Sequence, residues 1–415
     1  MRACLLLAVL LGGCADSLTS RPGTGAGGSC PGNVAACGGP ACDRCPEAPE
    51  NAGDMECVAH TCTFACDSGY LKCGGACCRA TAVAAGGNTT CAILSDGSLS
   101  CWGSNSNGQL GPAAQGLSSR TPVQVTGLSG VTAVAVGTLH VCALTAQGVR
   151  CWGANGSAQL GQAAGADSPA AVAVPINDVV ALAAGSRHTC AGTNSNILCW
   201  GANDLGQING QPNSPPQTET PTAVPGIPSA TLLASGSTHT CAASGNDVRC
   251  WGANGFGQLG GGHAYFGDPV TALAAGANHT CAIAKDPECW GAGTAGQLGD
   301  GNSSDSSTPV RSNNLSNPVR IGAGGAHSCG TIPGGGLRCW GANASGQLGT
   351  GNMQPQADPV SVALSSVDAL AAGTSHTCAL LTSKELLCWG ANDQGQTGTG
   401  GVENQLLTPA TVSGR

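Results

Sequence analysis

Cysteine and histidine are the residues whose types and spacing could do chemistry in this chain. Fourteen cysteines fall into seven pairs: Cys91 with Cys101, Cys142 with Cys151, Cys190 with Cys199, Cys241 with Cys250, Cys281 with Cys289, Cys329 with Cys339, and Cys378 with Cys388. One histidine recurs beside each pair, as His140, His188, His239, His279, His327 and His376, and Asn88 takes the place in the first. Thiolate and imidazole are zinc ligands, but a closed zinc site needs four ligands converging on one ion, and each unit offers two Cys and one His. A disulfide needs only the pair. Each pair brackets a turn such as Asp96-Gly97, and two Cys directly opposite on a hairpin lie within bonding reach. Closing so short a loop contributes roughly 2–3 kcal/mol by the entropy model. Seven hairpin disulfides are therefore expected, with no metal and no cofactor. The histidines are expected to be buried structural groups that hydrogen-bond a neighbouring unit.

The remaining cysteines point to the cell exterior. Ten lie between Cys30 and Cys78, and Cys4 and Cys14 precede them. Twenty-six Cys in 415 residues suit an oxidising compartment. Residues 1–14, MRACLLLAVLLGGC, place one Arg before an apolar run too short to span a bilayer, the proportions of a signal peptide. The run ends in Leu-Gly-Gly-Cys, which resembles a bacterial lipobox. That resemblance implies cleavage after residue 13 and lipid on Cys14, which would hold the protein on a membrane. Residues 14–29 then form a flexible tether. Residues 30–80 form a Cys-rich module with too few apolar residues for an ordinary core, so disulfides must replace it. Cys42 and Cys45 have CxxC spacing but lack the βαβ context of a redox motif.

The elements that position the paired cysteines repeat. Cys-Trp-Gly begins at Cys101, Cys151, Cys199, Cys250, Cys289, Cys339 and Cys388, at intervals of 50, 48, 51, 39, 50 and 49 residues. A fixed period of this length means one supersecondary unit stacked on its copies. Within residues 121–160, four β-prone runs open at Thr121, Val131, His140 and Val149, separated by Gly, Asn or Ser. Four short strands per period describe a propeller blade, whereas a solenoid carries fewer strands in a shorter period. The 67 Gly and the 9% charged residues fit a fold of short strands and tight turns.

The sequence Gly-x-x-His-Thr-Cys-Ala, as at Gly185–Ala191, followed by Cys-Trp-Gly-x-Asn-x-x-Gly-Gln-Leu-Gly, resembles the repeat of the regulator-of-chromosome-condensation family. The resemblance covers residues 81–415 and implies an all-β, seven-bladed propeller. Thr408-Pro409-Ala410-Thr411-Val412 is a lone copy of a strand that the first repeat lacks, so it is expected to join the first blade and place both chain ends in one sheet. The repeated Trp are expected to pack the blades. Gln109, Gln159, Gln207, Gln258, Gln297, Gln347 and Gln396 are expected to satisfy buried backbone groups near Gly turns. Asp300, Asn302 and Asp305 hint at a calcium loop but depart from the order of a calcium-binding hand.

Function is expected where repetition fails. The 39-residue interval before Cys289 contains GGHAYFGD, and every Phe and Tyr outside the Cys-rich module lies there or just before it: Phe256, Tyr265 and Phe266, with His263 alongside. Aromatics on irregular loops are typical interface anchors, so these four residues are the candidate partner-binding set; the alternative is that they cover apolar surface left by the shortened fifth repeat. Residues 208–220 form a second irregular loop. A net charge of −8 with only Lys72, Lys285 and Lys384 as lysines excludes a generic nucleic-acid role. No Ser-His-Asp set or recurring carboxylate pair suggests catalysis. The reading is a monomeric, non-enzymatic lipoprotein of the bacterial envelope that recognises a protein partner. The resemblance implies two alternatives: an enzyme inhibitor, because a bacterial β-lactamase inhibitor shares the repeat fold, and a guanine-nucleotide exchange factor, the family's best-known activity.

Overall fold

The computed structural model describes residues 47–54, 56–58, 61–230 and 232–414, together with the backbone of strands Gly28–Cys30, Val34–Cys37 and Asp43–Arg44. Cys4, Cys14, Cys42 and Cys45 lie outside the described residues.

Seven four-stranded antiparallel sheets follow one another along the chain. Blade 1 runs from Ala80–Gly86 to Ser118–Gln124, blade 2 from Ala133–Val136 to Ser168–Ala173, and blade 3 from Val179–Ala184 to Gln217–Pro228. Blade 4 runs from Leu232–Ser235 to His263–Tyr265 and blade 5 from Ala272–Ala275 to Ser306–Arg311. Blade 6 runs from Ile321–Ala323 to Gln356–Val362 and blade 7 from Val367–Ala372 to Gln405–Thr411. Each innermost strand is rich in Ala and Val and ends near glycine, so seven of them can approach one axis. The next two strands carry the Cys pair and form the blade's core. In every blade but the fourth, whose outermost strand is His263–Tyr265, the outermost strand carries Thr-Pro-Val or its variant, and proline is tolerated on such an edge strand.

This order corrects one expectation. The C-terminal strand Gln405–Thr411 pairs with Leu386–Ala391 of its own blade, and blade 1 has its own outer strand. The Thr-Pro-Val strand ends a blade rather than opening one, so none is missing from blade 1, and the first and last strands of the propeller lie in different sheets. The seam between blades 7 and 1 closes without a shared strand. The hairpin of Leu71–Cys73 and Ala76–Cys78 covers it, burying Leu71 and Cys73 against Ala80 and Leu94 of blade 1 and Leu380, Leu386 and Val412 of blade 7. Cys66 donates its N–H to Gly414 O at 3.1 Å, and Arg79 reaches Ser383 O. The chain ends thus meet through the Cys-rich module. Two of its disulfides are described, Cys66–Cys77 and Cys73–Cys78.

Candidate functional site

All seven repeat pairs are disulfides, with Cα atoms 4.1 Å apart at Cys91–Cys101 and 4.0 Å at Cys329–Cys339. The other five are Cys142–Cys151, Cys190–Cys199, Cys241–Cys250, Cys281–Cys289 and Cys378–Cys388. Each joins directly opposite residues of the central hairpin, as Cys190 opposite Cys199. The glycine of Cys-Trp-Gly follows at positive φ, +105° at Gly153, and there the outer strand's register shifts. An L side chain rarely adopts that conformation, so glycine is required.

The histidines join blades. His140 Nε2 lies 2.8 Å from Thr189 Oγ1 of the next blade, and the same bond links His188 to Thr240, His239 to Thr280, His279 to Ser328, His327 to Thr377 and His376 to Thr90. Thr189 Oγ1 donates in turn to Gln159 O, which also accepts Trp200 Nε1 at 2.9 Å. A hydroxyl that gives its proton to a carbonyl must accept from the imidazole, so Nε2 carries the ring proton. The opposite nitrogen, Nδ1, has no partner in any of the six rings. Burial pushes His140, His239 and His327 down to about 4. Burial and the neighbouring imidazoles push His188, His279 and His376 down to about 3. These are neutral structural groups. Each repeated Gln side chain also accepts a loop N–H, as Gln159 Oε1 from Ser157 at 2.8 Å, and the Trp rings are buried at the seams.

The first repeat is corrected by one residue. Gly103 pairs with Thr89, as Gly153 pairs with His140. Thr89, not Asn88, therefore occupies the histidine position. Across that seam, Val141 stands where the other blades carry Thr or Ser. Thr89 Oγ1 donates to Ser104 O within its own blade. Both halves of the inter-blade bond are replaced together.

The four candidate partner-binding residues do not form one cluster. Tyr265 stands opposite Asp247, at the start of strand Asp247–Gly252, and Phe256 follows the end of that strand. They sit at opposite ends of blade 4, separated by about 17 Å of strand. Tyr265 is 73% exposed and Phe256 44%. His263 pairs with Asp247, which also accepts Arg249 Nε at 3.0 Å, an exposed group of small energetic weight. Phe266 is buried, its ring 6.2 Å from that of Trp290 in the core between blades 4 and 5. Its neighbour Tyr265 faces outward because successive strand side chains point to opposite sides. Phe266 is thus unavailable to a partner, because it covers apolar surface beside the shortened blade. Of residues 208–220, only 208–216 lie in the loop of blade 3 that corresponds to the Phe256 loop of blade 4, so these two loops share one end of the propeller; residues 217–220 instead begin the outer strand Gln217–Pro228, paired with Gly201 and Ala202.

The axial channel is lined by Gly, Ala, Val, Ser and Thr, among them Gly86, Gly137, Ser237 and Thr374. No titratable side chain contributes to this lining. Asp300 Oδ1 accepts Asn302 N and Asp305 Oδ1 accepts Gly293 N, so the two carboxylates cap different turns. Among the described residues, the grouping of Cys73, Cys78 and Asp96 is tight enough for an ion, but both sulfurs are held in a disulfide.

Models of the regulator of chromosome condensation (RCC1) repeat match residues 80–109, 131–159, 179–207 and 367–396, and residues 96–144, 289–330 and 335–380. Together they span more than half of the chain. The chain belongs to the regulator of chromosome condensation repeat family. Prp20p of Saccharomyces cerevisiae has the same fold, at 22% identity over 81% of this chain and 87% of that chain, with a TM-score of 0.67. Its structure was described with its binding properties to Gsp1p and histones. A second structure of the yeast protein has Kap60 bound. Human WBSCR16 is 19% identical over 75% of this chain and 92% of that chain, also with a TM-score of 0.67. No curated protein matches the chain. At these identities the likeness shows the fold, which is a general scaffold for protein binding and does not choose a partner.

Proposed function

We propose that this protein is an exported, lipid-anchored scaffold of the bacterial envelope whose propeller recognises a protein partner without catalysing a reaction. The observation that carries the reading is the set of seven blade disulfides, whose sulfurs are buried between strands. They belong to an oxidising compartment, and the lipobox-like run before Cys14 supplies a route to it. The family's use as a protein-binding scaffold supports recognition, and the channel wall of small residues supports a non-enzymatic role. The described part of the Cys-rich module sits on the blade 7–blade 1 seam near the turn at Ser383, at the end of the strands opposite the one that bears the Phe256 loop.

Intact mass of the mature protein from membranes tests the reading. Loss of residues 1–13, a lipid-sized increment on Cys14, and a gain of 24 hydrogens on reduction are expected, because 26 Cys less Cys4 and Cys14 leaves 24. An unmodified N-terminus with free thiols would remove the export argument.

A further inference from the structure

Blade 4 lacks most of its outer strand. In the other six blades this strand pairs with Cys-Trp-Gly along its length: Cys289 opposite Val310 and Gly291 opposite Ser306 in blade 5, Cys151 opposite Val172 and Gly153 opposite Ser168 in blade 2. In blade 4 the pairing ends at Arg249 opposite His263. Between Gly260 and His263 the chain has two residues, whereas blade 5 has residues 300–310 between the equivalent Gly299 and Arg311. Among the described residues, the backbone edge from Cys250 to Gly252 therefore has no strand beside it.

The vacancy shows in the side chains. Cys250 and Trp251 are 7% and 5% exposed, whereas the Cys and Trp of the other six Cys-Trp-Gly sequences are fully buried. Leu259 is half-buried where Leu110, Leu160, Leu298 and Leu348 are fully buried. Asn254 carries a further mark. Its counterparts in blades 1 and 7 use both of their donors on the incoming chain: Asn105 N donates to Leu117 O at 2.7 Å and Asn105 Nδ2 to Gly116 O at 2.9 Å, and Asn392 donates likewise to Asn404 O and Glu403 O. Asn254 is exposed, and among the described residues neither its N–H nor its Nδ2 has an acceptor, although its Oδ1 still accepts Leu259 N at 3.1 Å.

We infer that the vacant outer-strand position of blade 4 accepts an extended segment of a partner protein. The inference rests on the protein-binding reading above and names the site and the partner's chemistry. The other blades outline the occupant: four of the six place a small hydroxyl residue opposite the glycine of Cys-Trp-Gly, and five place a β-branched residue opposite its cysteine. A small hydroxyl residue suits the place opposite Gly252, as Ser168, Thr218 and Ser306 show, and a β-branched residue suits the place opposite Cys250, as Val123, Val172 and Val310 show. Its backbone supplies the carbonyls that the N–H and Nδ2 of Asn254 lack. Main-chain pairing gives affinity, and alternate side chains give specificity.

A synthetic peptide with the sequence of residues 304–312, SDSSTPVRS, tests the site on the mature, oxidised protein. Saturable binding is expected, with at least tenfold slower hydrogen exchange at the amides of Gly252 and Asn254, which face the vacant edge, and no change in blades 2 and 6. Replacing the peptide's valine by lysine, or making Asn254→Ala in the protein, is expected to weaken binding about tenfold and about threefold. A protein in which Gly261 and Gly262 are replaced by a copy of residues 300–310, with its thermal midpoint checked, should fold and no longer bind. Absence of protection at Gly252 and Asn254, or equal binding by the filled protein, overturns the inference. So does concentration-dependent self-association that the peptide abolishes, because it assigns the position to a second copy. If peptide binding fails while the filled protein still captures a membrane partner, the site is wrong and the scaffold reading stands.

Discussion

Six of the seven seams share one set of polar bonds, and the seam between blades 1 and 2 does without most of them. At a six-fold example, between blades 3 and 4, His188 meets Thr240, Trp251 Nε1 donates to Gln207 O, and Ser186 N donates to Ser237 O beside the channel. Of this set, the seam between blades 1 and 2 keeps only the Trp bond, from Trp152 Nε1 to Gln109 O at 2.9 Å, to which an exposed bond from Asn107 Nδ2 to Asp167 Oδ2 at 2.6 Å is added. Thr89 replaces the imidazole and Val141 replaces its acceptor. Removing both members of a buried hydrogen bond costs little, whereas removing one strands the other. The two substitutions therefore leave a seam that is less bonded but has no orphaned donor. The closing seam, between blades 7 and 1, keeps the full set through His376 and Thr90, Trp102 and Gln396 O, and Thr374 N and Gly87 O. It gains the module hairpin as well. The ring is thus closed as firmly where its ends meet as anywhere, and its plainest seam lies one blade further on.

Acid breaks this comparison most strongly, because it acts on six seams and spares the seventh. The folded imidazoles titrate at about 3 to 4, and an unfolded one near 6.5. As pH falls, the unfolded chain takes up protons first. The stability conferred by these neutral rings is therefore complete above about pH 6.5 and declines from there down to pH 4. At pH 5 each ring contributes on the order of 2 kcal/mol less. A sharply lower thermal midpoint at pH 5 than at pH 7.5 is expected, with amide protection lost at the six histidine seams before the seam of blades 1 and 2. A midpoint that stays level over this range would mean the rings are not held neutral.

These seams also show how far the sequence could be read. The seven units, the disulfide pairing and the structural role of His, Trp and Gln were legible because each recurs at fixed spacing, and only one geometry satisfies all copies. The phase of the repeat was not. A cyclic repeat has no marked first strand, so Thr121-Pro122-Val123 reads equally well as the start of one unit or the end of the unit before. The small residues of strands such as Ala133–Val136, which must crowd an axis, are the signal that an inner strand opens each blade. The histidine place of the first repeat reads as Asn88 because that is the more conspicuous polar residue, although counting two residues back from Cys91 gives Thr89. The short interval of blade 4 is legible, and so is an aromatic cover for the apolar surface it leaves, but which aromatic provides it depends on the alternation that turns Tyr265 outward and Phe266 inward.

A single substitution sharpens the comparison next. Thr280→Val leaves the Nε2–H of His239 without an acceptor in a dry seam, a loss of about 1–3 kcal/mol. Adding His239→Thr reproduces the pairing found between blades 1 and 2. Chemical denaturation of the two variants is expected to place the double variant above the single one, because the stranded donor has been removed. A double variant less stable than the single would mean that the seam of blades 1 and 2 depends on something other than the paired replacement.

The smallest effect comes from the reverse exchange. Gly86 occupies in blade 1 the position of Gly185, where an added Cβ would lie 2.2 Å from His188 Cε1. The glycine that makes room for the ring is thus retained although the ring is absent. Thr89→His together with Val141→Thr should let the new imidazole reach the new hydroxyl across the seam. The gain expected is about 1 kcal/mol, the net worth of one buried hydrogen bond after desolvation. Each half alone should destabilise, Thr89→His by burying an unpaired Nε2–H against Val141, and Val141→Thr by burying a hydroxyl with no histidine to donate to it. The coupling between the two changes, measured as a double-mutant cycle at pH 7.5 and again at pH 5, is the decisive quantity. It should be favourable at pH 7.5, and the double variant should acquire an added acid sensitivity of one more histidine seam. If the coupling is absent, the seam of blades 1 and 2 is held too far apart for the bond, and the difference between the seams is one of spacing rather than of side-chain chemistry.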